Sequence, residues 1–285
     1  MTYDLIYESA NGKRITFSLA SGFIIGNMTD PTSQSVTFQT STGLRNIGAK
    51  MEAQVVDAKR ISITGTLTGN AEEKRKRMLQ TIVPMVKATV IFDGKYKLDC
   101  WPQKTPEIER YTENPQFNFT LFAPFPYWRS AEGKAIDLLG LTKQFRFPWN
   151  ISSPNPFRFS TFTEVFYTNV FNGGNVPSRW RAEFYARTDV TGPSLMNMVT
   201  GEFVKLNMDL SAGEMVIVDT TGQELSVKHY TATGEESDAF EHLDIDSSPF
   251  ELVVGDNLLK TDAEQNRTGL SVKIVYNDYV SGVWA

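Results

Sequence analysis

The stretch Arg60-Ile-Ser-Ile-Thr-Gly-Thr-Leu67 gives the clearest fold signal in this chain of 285 residues. Its apolar residues Ile61, Ile63 and Leu67 alternate with polar ones, and a period of two is typical of a strand with one buried face. Residues 117–121, Phe-Asn-Phe-Thr-Leu, alternate in the same way. These segments predict that the first half of the chain is built on β-strands.

A hairpin is predicted around Asp93-Gly94, because an Asp-Gly pair tolerates the positive φ angles of a tight turn. Its two strands are predicted over residues 88–92 and 96–100. A three-residue loop would pair Phe92 with Tyr96, whereas a two-residue loop would shift the register by one residue. We favour the three-residue loop.

One helix is predicted over residues 71–83. Asn70 is suited to cap it, Glu73 can return a hydrogen bond to the cap, and Pro84 stops it. The predicted buried stripe of this helix consists of Met78, Leu79, Ile82 and Val83. The basic run 74–77, Lys-Arg-Lys-Arg, is interpreted as a solvated or partner-facing flank and not as a nucleic-acid patch, because consecutive residues spread around a helix.

The second half is predicted to be a β-sandwich of seven or eight short strands at about ten-residue spacing. Trp180, Ala182, Phe184 and Ala186 alternate toward one face of the strand 179–187. The other predicted strands cover residues 163–170, 195–200, 202–207, 214–219, 224–228, 249–254 and 270–276. Turns are predicted between them, among others at residues 191–193 and 255–257, where glycine recurs.

The chain is predicted to form two domains. Closely spaced Pro and Gly residues between Pro124 and Pro156 indicate a connection, placed at about residues 129–156. The predicted domains are residues 1–132, which hold the helix, and residues 133–285. They differ in charge, since the first carries 16 Lys and Arg against 13 Asp and Glu, net +3, and the second 12 against 20, net −8. Neither charge pattern favours sequence-specific nucleic-acid binding.

Composition leaves little room for catalysis. Hydrophobic residues make up 41% of the chain, which excludes a disordered protein. A single cysteine, Cys100, excludes an intrachain disulfide and a four-cysteine zinc site, and two histidines, His229 and His242, offer little for a metal centre. No nucleophile or dinucleotide motif occurs, and the loop Gly43–Lys50 lacks the spacing of a phosphate-binding loop. We therefore predict no enzyme activity and no catalytic, cofactor-binding or metal-ligating residues.

Two residue clusters have a functional and a structural interpretation. Six carboxylates lie within residues 235–246, where an exposed loop is favoured over a calcium site or a glycosidase pair because the EF-hand spacing is absent. They are Glu235, Glu236, Asp238, Glu241, Asp244 and Asp246. Twelve aromatic residues fall within residues 145–185, where packing is favoured over a sugar-stacking platform because most sit at strand spacing.

The order of these features resembles the distal tail protein family of long-tailed siphophages and related prophages. In the first half the resemblance rests on the strand 60–67, the helix and Pro84, the hairpin ending Leu98-Asp-Cys100, Pro106, and residues 117–128 ending Pro-Phe-Pro-Tyr-Trp128. In the second half it rests on Phe171-Asn-Gly-Gly-Asn-Val-Pro177, Asn197-Met-Val-Thr-Gly-Glu202, Leu210-Ser-Ala-Gly-Glu214, Asp219-Thr220 and Pro249-Phe-Glu-Leu-Val-Val-Gly-Asp-Asn257. The acidic segment 235–246 departs from the family pattern.

The resemblance implies a structural protein of the phage tail tip or baseplate hub, assembled in the cytoplasm of the host bacterium. It implies a hexameric ring formed by the first domains, with galectin-like or carbohydrate-binding-module-like second domains pointing outward. Such a ring joins the major tail protein to the tail-associated fibre or lysin protein during host attachment, and it anchors receptor-binding proteins. The alternative is a carbohydrate-binding β-sandwich protein without a tail role. The N-terminus lacks a secretory signal and no segment is apolar enough to cross a membrane, so no membrane insertion is expected.

Overall fold

A computed structural model describes residues 4–42, 47–110, 112–138, 141–143, 160–162 and 167–283. The chain divides into two compact units, Met1–Glu132 with Tyr279–Ala285, and Gly133–Asp278. The second unit is thus inserted into the first near its C-terminal end. Independent folding of the two units stays a prediction.

The secondary structure is almost entirely β, which confirms the predicted fold class. The elements before the insertion are β1 (Leu5–Ser9), β2 (Arg14–Phe17), β3 (Phe23–Met28), β4 (Val36–Ser41), β5 (Lys50–Val56), β6 (Lys59–Leu67), α1 (Ala71–Thr81), β7 (Ala88–Phe92), β8 (Tyr96–Pro102), β9 (Glu107–Ile108), β10 (Gln116–Ala123) and β11 (Trp128–Ser130). The inserted unit holds β12 (Lys134–Asp137), β13 (Leu141–Lys143), β14 (Ser160–Phe162), β15 (Tyr167–Asn172), β16 (Trp180–Ala186), β17 (Val190–Asn197), β18 (Phe203–Lys205), β19 (Asp209–Leu210), β20 (Met215–Asp219), β21 (Ser226–Tyr230), β22 (Glu236–Asp238), β23 (Gly255–Gln265) and β24 (Leu270–Tyr276), with 3-10 helices at Phe240–His242 and Arg267–Gly269. β25 (Tyr279–Val280) follows it.

The first unit is one curled sheet with strand order β2-β1-β7-β8-β10-β6-β3. β6 lies between β10 and β3, and its side chains alternate between core and solvent as the sequence predicts. Gly65 occupies a core-facing position of β6, where a Cβ atom would lie 2.4 Å from the Phe117 ring. A glycine is therefore required for the Phe117 ring to pack flat against this strand.

The hairpin of β7 and β8 has the favoured register. Phe92 pairs with Tyr96 and Val90 with Leu98, and the loop residues Asp93 and Gly94 have φ angles of 50° and 66°. The three-residue loop is confirmed.

The helix α1 begins where the sequence predicts and ends two residues earlier. The Asn70 side chain accepts a hydrogen bond from the Glu73 N–H, while the Glu73 carboxylate accepts one from the Asn70 amide. Ile82 is the C-cap and is buried together with Met78, but Leu79 is exposed, so its place in the buried stripe was wrong. The helix buries a narrow face, since few of its residues reach the sheet.

The last described residues return to the first unit. β25 pairs with β11, which joins Tyr279 to Arg129, and Val283 is buried in the core of the first unit. The predicted second domain, residues 133–285, therefore differs from the inserted unit by its last seven residues. The predicted connection 129–156 is not simply a linker, because it begins inside β11 and contains β12 and β13. Its residues 139–140 and 144–156 lie outside the described part.

The second unit is a sandwich. One sheet has the order β12-β24-β16-β20-β21-β22 and the other the order β15-β23-β17-β18, with β19 on β17. Both sheets contribute to one core, in which Trp180 lies 5.0 Å from Phe250 between ring centroids and donates its indole N–H to the Phe250 carbonyl at 2.7 Å. β16 and β24 agree closely with their predicted strands.

Three predictions in this unit were wrong. The predicted turn 255–257 is the start of β23, the longest strand of the unit, and the predicted turn 191–193 lies inside β17. The predicted strand 249–254 is an irregular segment whose Phe250 and Leu252 anchor it in the core. Apolar residues at a spacing of two therefore mark buried anchors here without a regular strand.

Among the described residues, no helix is long and apolar enough to cross a membrane.

Candidate assembly surface

β4 and β5 form a two-stranded hairpin, residues 36–56, that we call the arm. Every side chain of its two strands is exposed except that of Ala53, which is partly covered. Within the described residues, β4 and β5 pair only with each other. Both outer edges of the arm therefore present unpaired backbone N–H and C=O groups, the usual template for pairing with another chain.

One face of the arm is apolar. Cross-strand partners lie on the same face of a sheet. The pairs Val36–Val56 and Thr40–Met51 share their face with Phe38, whose own partner is the polar Gln54. Phe38 and Met51 are 55% and 57% exposed, although neither is polar. An apolar sheet face with nothing packed on it is typical of an interaction site.

The base of the arm is fixed by hydrogen bonds. The Gln34 amide donates to the Asp57 carbonyl at 2.8 Å, the Asp57 N–H donates to the Ser35 carbonyl at 3.0 Å, and the Thr37 hydroxyl donates to the Asp57 carboxylate at 3.0 Å. These bonds close the hairpin at its root. The preceding segment, residues 29–35, leads into this root.

A buried lysine ties this segment to the C-terminal return of the chain. Lys59 is 6% exposed, and its Nζ donates to the carbonyls of Pro31, at 3.3 Å, and Ser281, at 3.1 Å. Its ammonium also lies 5.9 Å from the centroid of the Trp128 ring. Burial lowers the pKa of Lys59 to about 8, against a weak opposing effect of Asp30. Lys59 thus joins the root of the arm to β25 and β11 at a desolvation cost.

Gly282 makes the same junction tight. A Cβ atom on Gly282 would lie 2.3 Å from the Thr32 carbonyl oxygen, and that oxygen belongs to the backbone and cannot rotate away. The N–H of the next residue, Val283, donates to the Pro31 carbonyl. Only glycine permits this backbone approach.

The basic run of α1 serves to dock the helix. Lys74 donates to the Thr68 carbonyl, Arg75 to the Ile108 carbonyl at 2.7 Å, and Arg77 to the Arg14 carbonyl at 3.0 Å. Three of its four cations therefore bind backbone of their own unit. The run is thus used within its own unit, which differs from the solvated or partner-facing flank that the sequence predicts.

The carboxylates of residues 235–246 are spread over an exposed segment. Hydrogen bonds from Lys228 and Tyr230 lower the pKa of Glu236, and a hydrogen bond from Asn207 lowers that of Asp244. Both carboxylates thus hold neighbouring segments in place. In the part of the chain that the structure describes, no three His, Cys, Asp or Glu side chains lie close enough together to hold a metal ion.

The remaining candidate residues are dispersed. His229 lies 3.4 Å from Glu214 on the six-stranded sheet, and His242 is in a 3-10 helix at 3.8 Å from Glu241. Burial raises the pKa of the Cys100 thiol to about 12, so it is a poor nucleophile. In the loop Gly43–Lys50, residues 43–46 lie outside the described part of the chain.

The aromatic cluster divides between core and surface. Trp180 and Phe184 are core residues, whereas Tyr167, Phe171 and Tyr185 are exposed. The members at 145, 147, 149, 157, 159, 162 and 166 lie outside the residues whose side chains are described.

Sequence reasoning missed three buried asparagines, Asn172, Asn197 and Asn257, each at most 1% exposed. The Asn172 amide donates to the carbonyls of Val176 and Leu252, both at 3.0 Å. The Asn197 amide donates to the Asn257 side-chain oxygen at 3.2 Å. These side chains fix loops of the sandwich, and each lies in a segment that carries the resemblance to the tail protein family. The available signal was that each of these asparagines lies within four residues of a glycine in its segment.

Asn257 is the centre of this group. Its amide donates to the carbonyls of Val253, at 2.8 Å, Gly255, at 3.1 Å, and Val170, at 3.3 Å, while its oxygen accepts from the Val253 N–H at 2.9 Å. Both polar atoms of the Asn257 side chain have hydrogen-bond partners within the protein, so the role of Asn257 is structural.

Comparisons with known proteins agree with this architecture. Residues 173–278 match the family model described as siphovirus-type tail component, C-terminal domain. The crystal structure of the SPP1 Dit protein, titled a paradigm of the hub adsorption apparatus in phages infecting Gram-positive bacteria, aligns over 98% of this chain and 99% of that chain, with a TM-score of 0.67 and 12% identity. No curated protein matches in sequence.

Two structures of the phage P2 baseplate in its activated conformation also match. The structures with Ca and with Sr each cover 99% of this chain and 100% of that chain at 10% identity, with TM-scores of 0.58 and 0.56. At these identities the likeness concerns the fold.

Proposed function

We propose a ring-forming role for this chain, which is a Dit-like siphovirus distal tail or baseplate hub protein whose residues 173–278 belong to the siphovirus-type tail component family. In this role six copies form a ring at the tail tip through their first units. The ring joins the major tail protein on one side to the tail-associated fibre or lysin protein on the other. The family match favours this role over that of a carbohydrate-binding protein without a tail.

The observation that supports the ring is the arm. A head-to-tail contact uses two different patches of each subunit and closes when its rotation allows. The arm supplies one such patch, because its outer edges are unpaired and its Phe38 and Met51 side chains are exposed. Docking on a neighbouring copy would cover both features at once.

Charge supports the placement of the two units in the ring. Residues 1–132 carry net +3, a small self-repulsion, whereas residues 133–285 carry net −8. Six copies of the acidic unit crowded on the axis would repel one another. The second units therefore point outward, where they are available to anchor receptor-binding proteins.

The proposed role is architectural and needs no catalysis. Each histidine lies beside a different glutamate, the cysteine is buried, and the acidic side chains at Glu236 and Asp244 hold neighbouring segments. Any sugar binding by the second unit is expected to be weak.

The test is assembly of an arm variant. We expect Phe38→Asp/Met51→Asp to prevent ring formation, measured by light scattering of the full chain at rising concentration, alone and with its tail partners. The wild-type ring has six times the chain mass of 32.0 kDa. Phe240→Asp, at a phenylalanine of the second unit that is 49% exposed, is the matched control and should leave the ring intact. A ring of normal mass in the arm variant would refute this role of the arm.

A further inference from the structure

The outer face of the five-stranded sheet carries a second exposed apolar surface. Tyr167 and Phe171 of β15, Leu258 of β23 and Met198, just after β17, are between 41% and 54% exposed. In each strand the neighbouring residues point into the core, as Val170, Asn257 and Asn197 do. We call these four exposed side chains the apolar sheet face.

The four side chains are neighbours across strands. Tyr167 pairs with Lys260, which pairs with Met196, and Phe171 lies two steps along the same face of β15. Asn169, between the two aromatics, pairs with Leu258, and the Met198 N–H donates to the Leu258 carbonyl at 2.8 Å. Leu258 is therefore the diagonal neighbour of both Tyr167 and Phe171, and diagonal neighbours about 7–8 Å apart are still within reach of aromatic side chains. The direct partners of the two aromatics are Lys260 and Asp256.

The outer face of the six-stranded sheet is different. Its Glu183 lies 3.4 Å from Arg181 and 3.6 Å from Lys273, and Lys228 pairs with Glu236. Long charged side chains cover that sheet; Ile217, for example, is 6% exposed although it shares a face with Arg181 and Glu183. A sandwich that shields one outer face and leaves the other apolar has one face suited to docking.

The charge around the apolar sheet face selects its occupant. Lys260 pairs with Asp262 and Lys205 with Glu264, each at 2.7 Å, and Asp256 accepts a hydrogen bond from Asn169 at 2.6 Å. Lys134, beside Phe171, pairs with Asp278 at 2.6 Å. Four carboxylates and three lysines thus leave the face with a net charge of −1, within a domain of net −8. A second copy would bring a second acidic domain against it and be repelled.

The composition at the centre of the face favours protein over sugar. Leu258 and Met198 offer no hydrogen bonds, and the Asn169 amide donates to Asp256. One side of the Phe171 ring faces the Lys134 ammonium, 6.0 Å from the ring centroid. Aromatic, Met and Leu side chains with a polar rim are the composition of a protein interface.

We propose that the apolar sheet face is the docking site for a different tail protein, through a segment that is apolar at its centre and carries more Lys and Arg than Asp and Glu at its flanks. The proposal rests on the tail role and names the surface and the chemistry of one partner. It is independent of the arm, which belongs to the other unit.

The test is site-specific photocrosslinking of the full chain, co-produced with the other proteins of its tail. A benzoyl-phenylalanine replaces Tyr167, which is 47% exposed, or, as the matched control, Tyr185, which is 42% exposed on the charged sheet. We expect a product at position 167 with a different tail protein, joined through an apolar segment with basic flanks, and no such product at position 185. Leu258→Asp should reduce the yield at position 167 at least tenfold.

Three results would overturn the proposal. The first is a crosslink to a second copy of this chain. The second is a failure of position 167 to give a product that position 185 does not give. The third is glycan binding that Tyr167→Ser abolishes. Phe38→Asp/Met51→Asp is carried in parallel and should remove the ring while keeping the crosslink. Ring formation and crosslink yield therefore test the two proposals separately.

Discussion

The cores of the two units differ in their polar content. The core of the first unit is aromatic, with Phe17 at 5.8 Å from Phe119 and Phe119 at 6.1 Å from Phe117 between ring centroids. The second unit places Asn197 and Asn257 inside its sandwich. Apolar packing tolerates a change of shape, because its energy is a sum of many small contacts, whereas a buried amide demands every one of its partners. The first core is therefore readable from hydrophobic pattern, whereas in the second unit the pattern finds β16 and β24 but misses β23, the strand that holds Asn257.

The largest expected effect tests this contrast directly. Asn257→Leu keeps the approximate volume but leaves several buried backbone partners without hydrogen bonds, so we expect a loss of about 3–5 kcal/mol in the free energy of unfolding. Phe119→Leu removes apolar contacts only and should cost about 1–2 kcal/mol. Urea unfolding of both variants measures the difference. An equal or smaller loss for Asn257→Leu would contradict the expected difference between the two cores.

A smaller effect concerns the buried cation of the first unit. Burial lowers the pKa of Lys59 from 10.5 to about 8, so between these values the unfolded chain holds more protons than the native chain. The stability of the wild type relative to Lys59→Met should therefore rise from pH 8 to pH 10.5, by on the order of 1–3 kcal/mol.

Urea unfolding at several pH values measures this difference. Other groups cancel because both chains share them, including Cys100, whose raised pKa lowers stability in the same window. A constant difference between the two chains from pH 7 to pH 10.5 would show that Lys59 is not the buried cation described here.

The smallest expected effect uses an asparagine at the surface. Asn70 caps α1 with the same amide group that Asn257 buries, but water can replace its hydrogen bond. Asn70→Ala should cost about 1 kcal/mol, and Asn70→Asp should keep the cap. Thermal unfolding of both variants is the measurement. A loss as large as that of Asn257→Leu would show that burial is not what distinguishes the two amides.

Particular strands show what the sequence can predict. β6 and the hairpin of β7 and β8 are predictable because their apolar residues alternate and Asp93-Gly94 marks the turn. β23 was missed because its core-facing positions hold Asn257, Leu259, Thr261 and Ala263, of which half are polar. Its hydrogen bonds across β15 and β17 make it a strand, and those partners are remote in sequence.

The candidate surfaces were harder to predict than the core. The arm has exposed apolar residues, and a pattern of alternating apolar residues predicts a buried strand, not an exposed one. The apolar sheet face depends on which side of β15 is covered, since Val170 faces the core and Phe171 faces solvent. The packing of the two sheets against each other decides whether Val170 or Phe171 is buried.

The return of β25 to the first unit also has an evolutionary consequence. Residues 133–278 are a cassette whose two junctions follow β11 and precede β25, and the pairing of Arg129 with Tyr279 fixes the distance between those junctions. A recombination event that exchanges the cassette has to match only this one spacing. Lineages can therefore exchange residues 133–278 while inheriting the arm, the Lys59 junction and the rest of the first unit unchanged.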